Sequence, residues 1–217
     1  LDGRYVRLER LDATEHAGDL FRANSEDKTD DMWTYMFDGP FHAQATYHKA
    51  LRDMSGKADP YFMAIKNKEN GRFCGVASLM RIDPSVGCIE VGSIAFAPSL
   101  QRTRAATEAM YLMMKWAFEA GYRRYEWKCD ALNAGSRRAA QRLGLSYEGI
   151  FRQATMYKGR SRDRAWFAAM DKEWPALEAA FQAWLDPKNF DNTGRQIDRL
   201  GNLTALVRVA SDPTLEP

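Results

Sequence analysis

The chain is poor in the residues that build metal and redox sites. Its 217 residues include three cysteines and three histidines. Cys74, Cys88 and Cys129 are widely spaced, odd in number and free of any C-x-x-C pattern, and His16, His42 and His48 lack ligand spacing. Neither a metal centre nor a disulfide framework is therefore expected. Each cysteine lies in a strand-like run and reads as a small core hydrophobe. Reduced, cytoplasmic surroundings are the matching expectation. No apolar run approaches a membrane span, so no membrane partner is expected. Residues 1–20 carry charges throughout (Arg4, Arg7, Glu9, Arg10), which argues against a signal peptide. The formal charge is +2, with basic residues interleaved among acids rather than striped, so nucleic acid is not an expected partner. Internal repeats and low-complexity linkers are also missing.

What is present is a chain that is 45% hydrophobic, enough for one sizeable core. Alternation predicts strands over 5–11, 61–66, 73–82, 87–96 and 125–131, and two more over 145–157 and 163–170 around a Lys158-Gly-Arg-Ser turn. Helical spacing predicts helices over 14–24 (Thr14 as N-cap), 43–55, 103–120, 133–143 (Gly144 at C′) and 171–185. Met110, Met113 and Met114 fall on the core face of their helix. The order β-α-α-β-β-β-α-β-α-β-β-α makes one mixed α/β domain over 1–185 and a turn-rich tail over 186–217. Within the tail, 203–209 reads as an edge strand. The tail either covers its own subunit or exchanges with a neighbour, which leaves a homodimer open.

The most informative stretch is 96–109. A strand ends at Pro98, a loop carries Arg102 and Arg104, and an amphipathic helix begins. Free N–H groups and the positive dipole end of a first helical turn suit a phosphate. Well-placed arginines add charge-assisted bonds of about 1.5–3 kcal/mol each.

At this point the residues resemble the GNAT N-acetyltransferases. Gln101-Arg-Thr-Arg-Ala-Ala106 is similar to their acetyl-CoA motif, Gln/Arg-x-x-Gly-x-Gly/Ala, which follows the fourth strand and opens the third helix. Asn133-Ala-Gly-Ser136 and Leu143-Gly144-Leu145-x-x-Glu148-Gly149 resemble the ribosomal-protein N-terminal acetyltransferase branch, as does Thr107-Glu108-Ala109. The stretches 126–133 and 162–167 look like those of a subgroup of bacterial and fungal members. The resemblance covers roughly residues 3–185. It implies a mixed, mostly antiparallel twisted sheet of about seven strands, helices on both faces and a splay between strands 4 and 5. Acetyl-CoA is the implied cosubstrate, with no metal. Two departures stand out. Arg104 occupies the place of a glycine that lets backbone approach pyrophosphate, and Ala140 stands where many members carry a tyrosine acid. The branch's glutamate base falls near Thr155 and is not carried over.

The chemistry implied is acetyl transfer in a ternary complex to the primary amine of a small molecule or a peptide N-terminus. Glu90, on the strand entering the loop, is the candidate base; its alternative is a fold-stabilising carboxylate. Ser136 matches the branch's acid. Ile94 and Phe96 are implied backbone partners of the pantetheine arm, the Phe96 amide polarising the thioester carbonyl. Gln101, Arg102, Thr103, Arg104, Ala105, Ala106 and Thr107 form the implied phosphate loop. Asn133 either contacts CoA, caps its own helix, or does both. Arg137 and Arg138 read as a solvated helix face within reach of a 3′-phosphate. The acidic-aromatic stretch 25–42 occupies the acceptor segment, with Asp30, Asp31 and Asp38 attracting a cation and Trp33, Tyr35 and Phe37 as walls; solvated acids with anchoring aromatics are the plainer alternative. The competing function is a non-catalytic acyl-CoA-binding or interaction module with a decayed site.

Overall fold

A computed structural model describes residues 1–215. Seven strands form one sheet in the order β1-β2-β3-β4-β5-β7-β6, mostly antiparallel with one parallel pair, in a mixed α/β chain. This is the expected fold class. By packing, the chain falls into two compact units, one of 1–82 with 90–113 and one of 83–89 with residues from 114 onward.

In the first unit, β1 (Val6–Arg10), β2 (Tyr61–Asn67) and β3 (Arg72–Asp83) run antiparallel, with Leu8 opposite Ile65 and Ile65 opposite Gly75. β4 (Cys88–Phe96) leads to α3 (Arg104–Glu119). Helices α1 (Ala13–Asn24) and α2 (Gln44–Ser55) each bury one apolar stripe. Leu20, Tyr47 and Leu51 from these helices meet Phe62, Ala64 and Val76 in one core cluster. Asp12, rather than Thr14, caps α1. Its Oδ1 accepts the amides of Thr14 and Glu15 at 2.7 and 3.2 Å. An aspartate one residue ahead of the helix reaches these N–H groups, so the boundary shifts by a residue.

In the second unit, β5 (Arg124–Asp130) and β6 (Ser146–Tyr157) both pair antiparallel with β7 (Arg160–Met170). α4 (Ala134–Arg142) ends at Gly144, whose φ of +92° confirms the C′ role. A Cβ there would collide with the Leu177 side chain. The expected helix 171–185 begins as a 3-10 turn, Asp171–Glu173, and continues as α5 (Trp174–Leu185) with Trp174, Leu177, Phe181 and Trp184 buried.

The expected edge strand at 203–209 is instead the end of a short helix, α6 (Leu200–Ala205). The spacing explains it. Leu200 and Thr204 are buried one turn apart, and Thr204 Oγ1 donates to the Arg142 carbonyl at 3.0 Å, whereas Leu206 and Val209 face solvent. Met110, Met113 and Met114 are buried as expected, as are Cys74 and Cys129, while Cys88 is half-buried.

Candidate functional site

The β4–α3 connection in the first unit is built from its own side chains. The amides of Leu100 and Gln101 both bond the Ala97 carbonyl, making a tight turn after β4. Gln101 Nε2 reaches back to donate to the Phe96 carbonyl at 2.8 Å. Arg102 sits at φ +62° with its side chain exposed. Thr103 Oγ1 donates to the Leu100 carbonyl at 2.6 Å and accepts the Ala106 amide at 3.1 Å, so it caps α3 in the manner of an N-cap residue. Ala105 and Ala106 are buried, and Thr107 Oγ1 donates to the Thr103 carbonyl.

The Arg104 departure has a structural answer. The left-handed residue of this loop is Arg102, and Arg104 is already the first helical residue. Its guanidinium lies 5.0 Å from the centre of the Tyr5 ring. Glu108, one turn on, is buried and accepts the amides of Arg4, Tyr5 and Val6 at 2.8, 2.6 and 2.9 Å. The start of α3 is thereby anchored to the chain entering β1. In the sequence Glu108 carries only the resemblance of Thr107-Glu108-Ala109, because its partners lie about a hundred residues away; its apolar surroundings (Ala105, Ala106, Ala109) are the available signal of a buried carboxylate.

Glu90 is 3% exposed, and its Oε2 accepts from Arg81 Nη1 at 2.6 Å. Arg81 itself is set in place by Asp59, whose two oxygens take the amides of Arg81 and Ile82 at 2.9 and 3.1 Å. Glu90 points to the Gly92 side of the strand, where its Oε1 lies 3.6 Å from the place a Cβ on Gly92 would occupy. Ser93, at φ +49°, distorts β4 just before Ile94, and Ile94 and Phe96 are half-buried.

The acidic-aromatic stretch divides by residue. Trp33 is a core residue, with ring centres 5.2 Å from Phe41 and 6.3 Å from Tyr47, so its indole anchors the segment. Asp31 and Asp38 are exposed and Tyr35 is half-buried. Asp27 organises the turn by accepting the Met32 amide at 2.8 Å, the bond that chiefly lowers its pKa. Glu26 takes the Ser99 amide at 3.2 Å, linking this segment to the β4–α3 loop.

In the second unit, Asn133 caps α4, its Oδ1 accepting the Ser136 amide at 2.9 Å. Ser136 Oγ accepts from Trp127 Nε1 at 2.9 Å. Cys129 lies within hydrogen-bond reach of Ser136, and burial pushes its thiol up to about 11. Arg137 departs from the expected solvated face. It is buried, donates to the Ala131 carbonyl at 2.7 Å and makes two bonds to Asp212. Arg138 is exposed, as expected, and Ala140 is fully buried.

Among the described residues no group of three or more His, Cys, Asp or Glu side chains could hold a metal ion, and no helix is long and apolar enough to cross a membrane.

A strand, a capped basic turn and a helix follow one another in the order that the family resemblance implies, and the comparisons agree. Residues 6–146 match the acetyltransferase (GNAT) domain. A GCN5-related N-acetyltransferase from Brucella melitensis is 47% identical, covering 94% of this chain and 93% of its own, with a TM-score of 0.92. A GNAT family protein from Chromobacterium violaceum is 39% identical over 81% of this chain and 87% of its own, with a TM-score of 0.75. The chain belongs to the GNAT acetyltransferase family. A Salmonella typhimurium acetyltransferase that modifies the N-terminal serine of ribosomal protein L7/L12 shares the fold at 19% identity, 77% of this chain, 96% of its own and a TM-score of 0.65. None of the curated proteins compared with the chain matches it.

Proposed function

We propose that this protein is an acetyl-CoA-dependent N-acetyltransferase that passes the acetyl group directly to a primary amine, of a small molecule or of a protein N-terminus. The observation that carries the reading is the Thr103-capped start of α3, with Arg102 exposed in the turn before it. A pyrophosphate fits there by the chemistry of the donors: first-turn amides, a dipole end and guanidinium groups. Gln101, Thr103, Ala105, Ala106 and Thr107 shape this loop, and Arg102 and Arg104 supply charge. When bound, acetyl-CoA supplies the activated thioester.

The chain's own residues do the rest. A lysine-like amine with a pKa of about 10.4 costs roughly 4–5 kcal/mol to deprotonate at pH 7. Glu90 takes that proton, directly or through a water. Ile94 and Phe96 offer backbone groups to the pantetheine arm, and the Phe96 amide polarises the carbonyl. The Gln101 bond to the Phe96 carbonyl supports this by fixing that peptide. Ser136 returns a proton to the departing thiolate. Accepting from Trp127 leaves its O–H as its single donor. Asn133, which caps α4, is the CoA contact that the family resemblance implies. Asp31 steers a cationic amine inward, Tyr35 belongs to the same segment, and Trp33 holds that segment from the core.

A thioester-cleavage assay over an amine panel tests this. Expected is cleavage that depends on an amine, with kcat lowered at least tenfold in Glu90→Gln at neutral pH. CoA binding without turnover on any amine or peptide would instead favour a binding module with a decayed site.

A further inference from the structure

Arg81 breaks the alternation of β3 in the first unit. Met80 faces the Gly92 side of β4, where a Cβ on Gly92 would meet its Sδ, and strict alternation would turn the next side chain to the opposite face. Arg81 is instead left-handed at φ +48°, and its guanidinium reaches Glu90 on that same Gly92 side. Residues other than glycine seldom hold this conformation, and it persists where the surroundings fix it. Asp59 fixes it here by taking the Arg81 and Ile82 amides, one on each oxygen.

The two halves of this ion pair are unequally placed. The Glu90 side chain is 4% exposed and that of Arg81 44%, so the guanidinium is the half that meets solvent. Arg81 commits only Nη1 to Glu90. Its Nε and Nη2 groups, which form one of the bidentate edges of a guanidinium, have no hydrogen-bond partner among the described residues. That edge matches the two oxygens of a carboxylate. An acceptor carrying only a cation would approach Glu90 beside the Arg81 charge, a like-charge contact that disfavours it. A carboxylate on the carbon next to the amine removes that repulsion and fills the open edge.

We propose that Arg81 is the specificity residue of this site and that the acceptor is a free α-amino acid, its amine directed to Glu90 and its carboxylate held on the Nε–Nη2 edge of Arg81. The inference rests on the amine-acetyltransferase reading with Glu90 as base and narrows it to amines with a carboxylate on the adjoining carbon. A protein N-terminus has an amide carbonyl in that place and would leave the edge empty. The test sets a panel of free α-amino acids against their own carboxamides and decarboxylated amines, by acetyl-CoA cleavage and, with CoA present, by calorimetry. At least one free amino acid should show a KM and a Kd at least tenfold below those of its carboxamide and its amine. Arg81→Gln should raise both values at least tenfold for the free acid and change them by less than about twofold for the carboxamide, with acetyl-CoA affinity unchanged as the check on folding. Loss of a merely structural contact would move acid and carboxamide alike. Arg81→Lys keeps the charge without the fork and should also lose the preference, which supplies the same reading should the glutamine variant not fold. Equal use of acid and carboxamide by the parent protein, or a preference kept in both variants, overturns the assignment and leaves the transferase reading standing. Preferential binding of a free amino acid, with no thioester cleavage in the presence of any amine, upholds the carboxylate site and strikes the transferase reading alone. Binding of neither acid nor carboxamide overturns the assignment as well.

Discussion

Arg137 and Asp212 meet through two hydrogen bonds, of 2.6 and 2.7 Å, across 75 residues of chain. Both side chains are buried, so the end of the chain is tied to the first turns of α4 by an ion pair shielded from water. Removing one partner leaves the other charge buried alone, which costs about 3–5 kcal/mol. Asp212→Ala should lower the urea midpoint accordingly, and an unchanged midpoint would show the pair to be idle.

The same pair makes stability depend on pH. Burial alone would raise the Asp212 pKa, but the bonds from Arg137 and Thr214 outweigh it, and the net direction is down from 3.8. A carboxylate depressed on folding stabilises fully above its ordinary value and loses that contribution as pH falls below it. The hydrogen-exchange protection factors of residues 206–215 should therefore fall as the pH drops below 3.8, and in Asp212→Asn that acid-dependent step should disappear.

Glu108 gathers three backbone amides at the point where the chain enters β1. Glu108→Gln turns an NH2 donor toward N–H donors, and each buried donor left unsatisfied costs about 1–3 kcal/mol. The expected result is a lower melting temperature with residues 1–10 exchanging faster. Retention of wild-type protection over those residues would count against the anchor.

Arg102 and Arg104 separate by surroundings. Arg102→Ala changes an exposed loop residue and should weaken CoA binding without altering stability. Arg104→Ala also removes the contact with Tyr5, so it should lower both. The double replacement should weaken CoA at least tenfold, or about 1.4 kcal/mol, by calorimetry; undiminished affinity would remove the phosphate cradle.

Gly75 tests the loop from below. A Cβ there would lie 2.6 Å from Leu100 and 3.1 Å from Phe96. Gly75→Ala should push the β4–α3 turn outward and raise the Kd for CoA severalfold. The same Kd with a well-folded protein would mean that the turn yields freely.

Local chemistry was legible in the chain. Strand alternation, the helical stripe through Met110 and Met113, Gly144 at a helix end and Asn133 as a cap all came through, because each depends on residues within one or two turns of one another. The start of α1 moved by one residue because Asp12 and Thr14 both suit a cap. The 203–209 run was misread because six helical residues in an apolar-polar mixture carry too short a period to tell from alternation.

Sequence alone determined the class of the fold, the loop between β4 and α3 and the family resemblance, since element type and turn chemistry are set by neighbours along the chain. Only the tertiary structure decided what the charged and aromatic residues do. Glu90 met Arg81, Arg104 met Tyr5, Glu108 met residues 4–6, Arg137 met Asp212, and Trp33 turned into the core. A charge removed from water must find a partner or a set of donors, and that partner is chosen by where the backbone brings distant segments together.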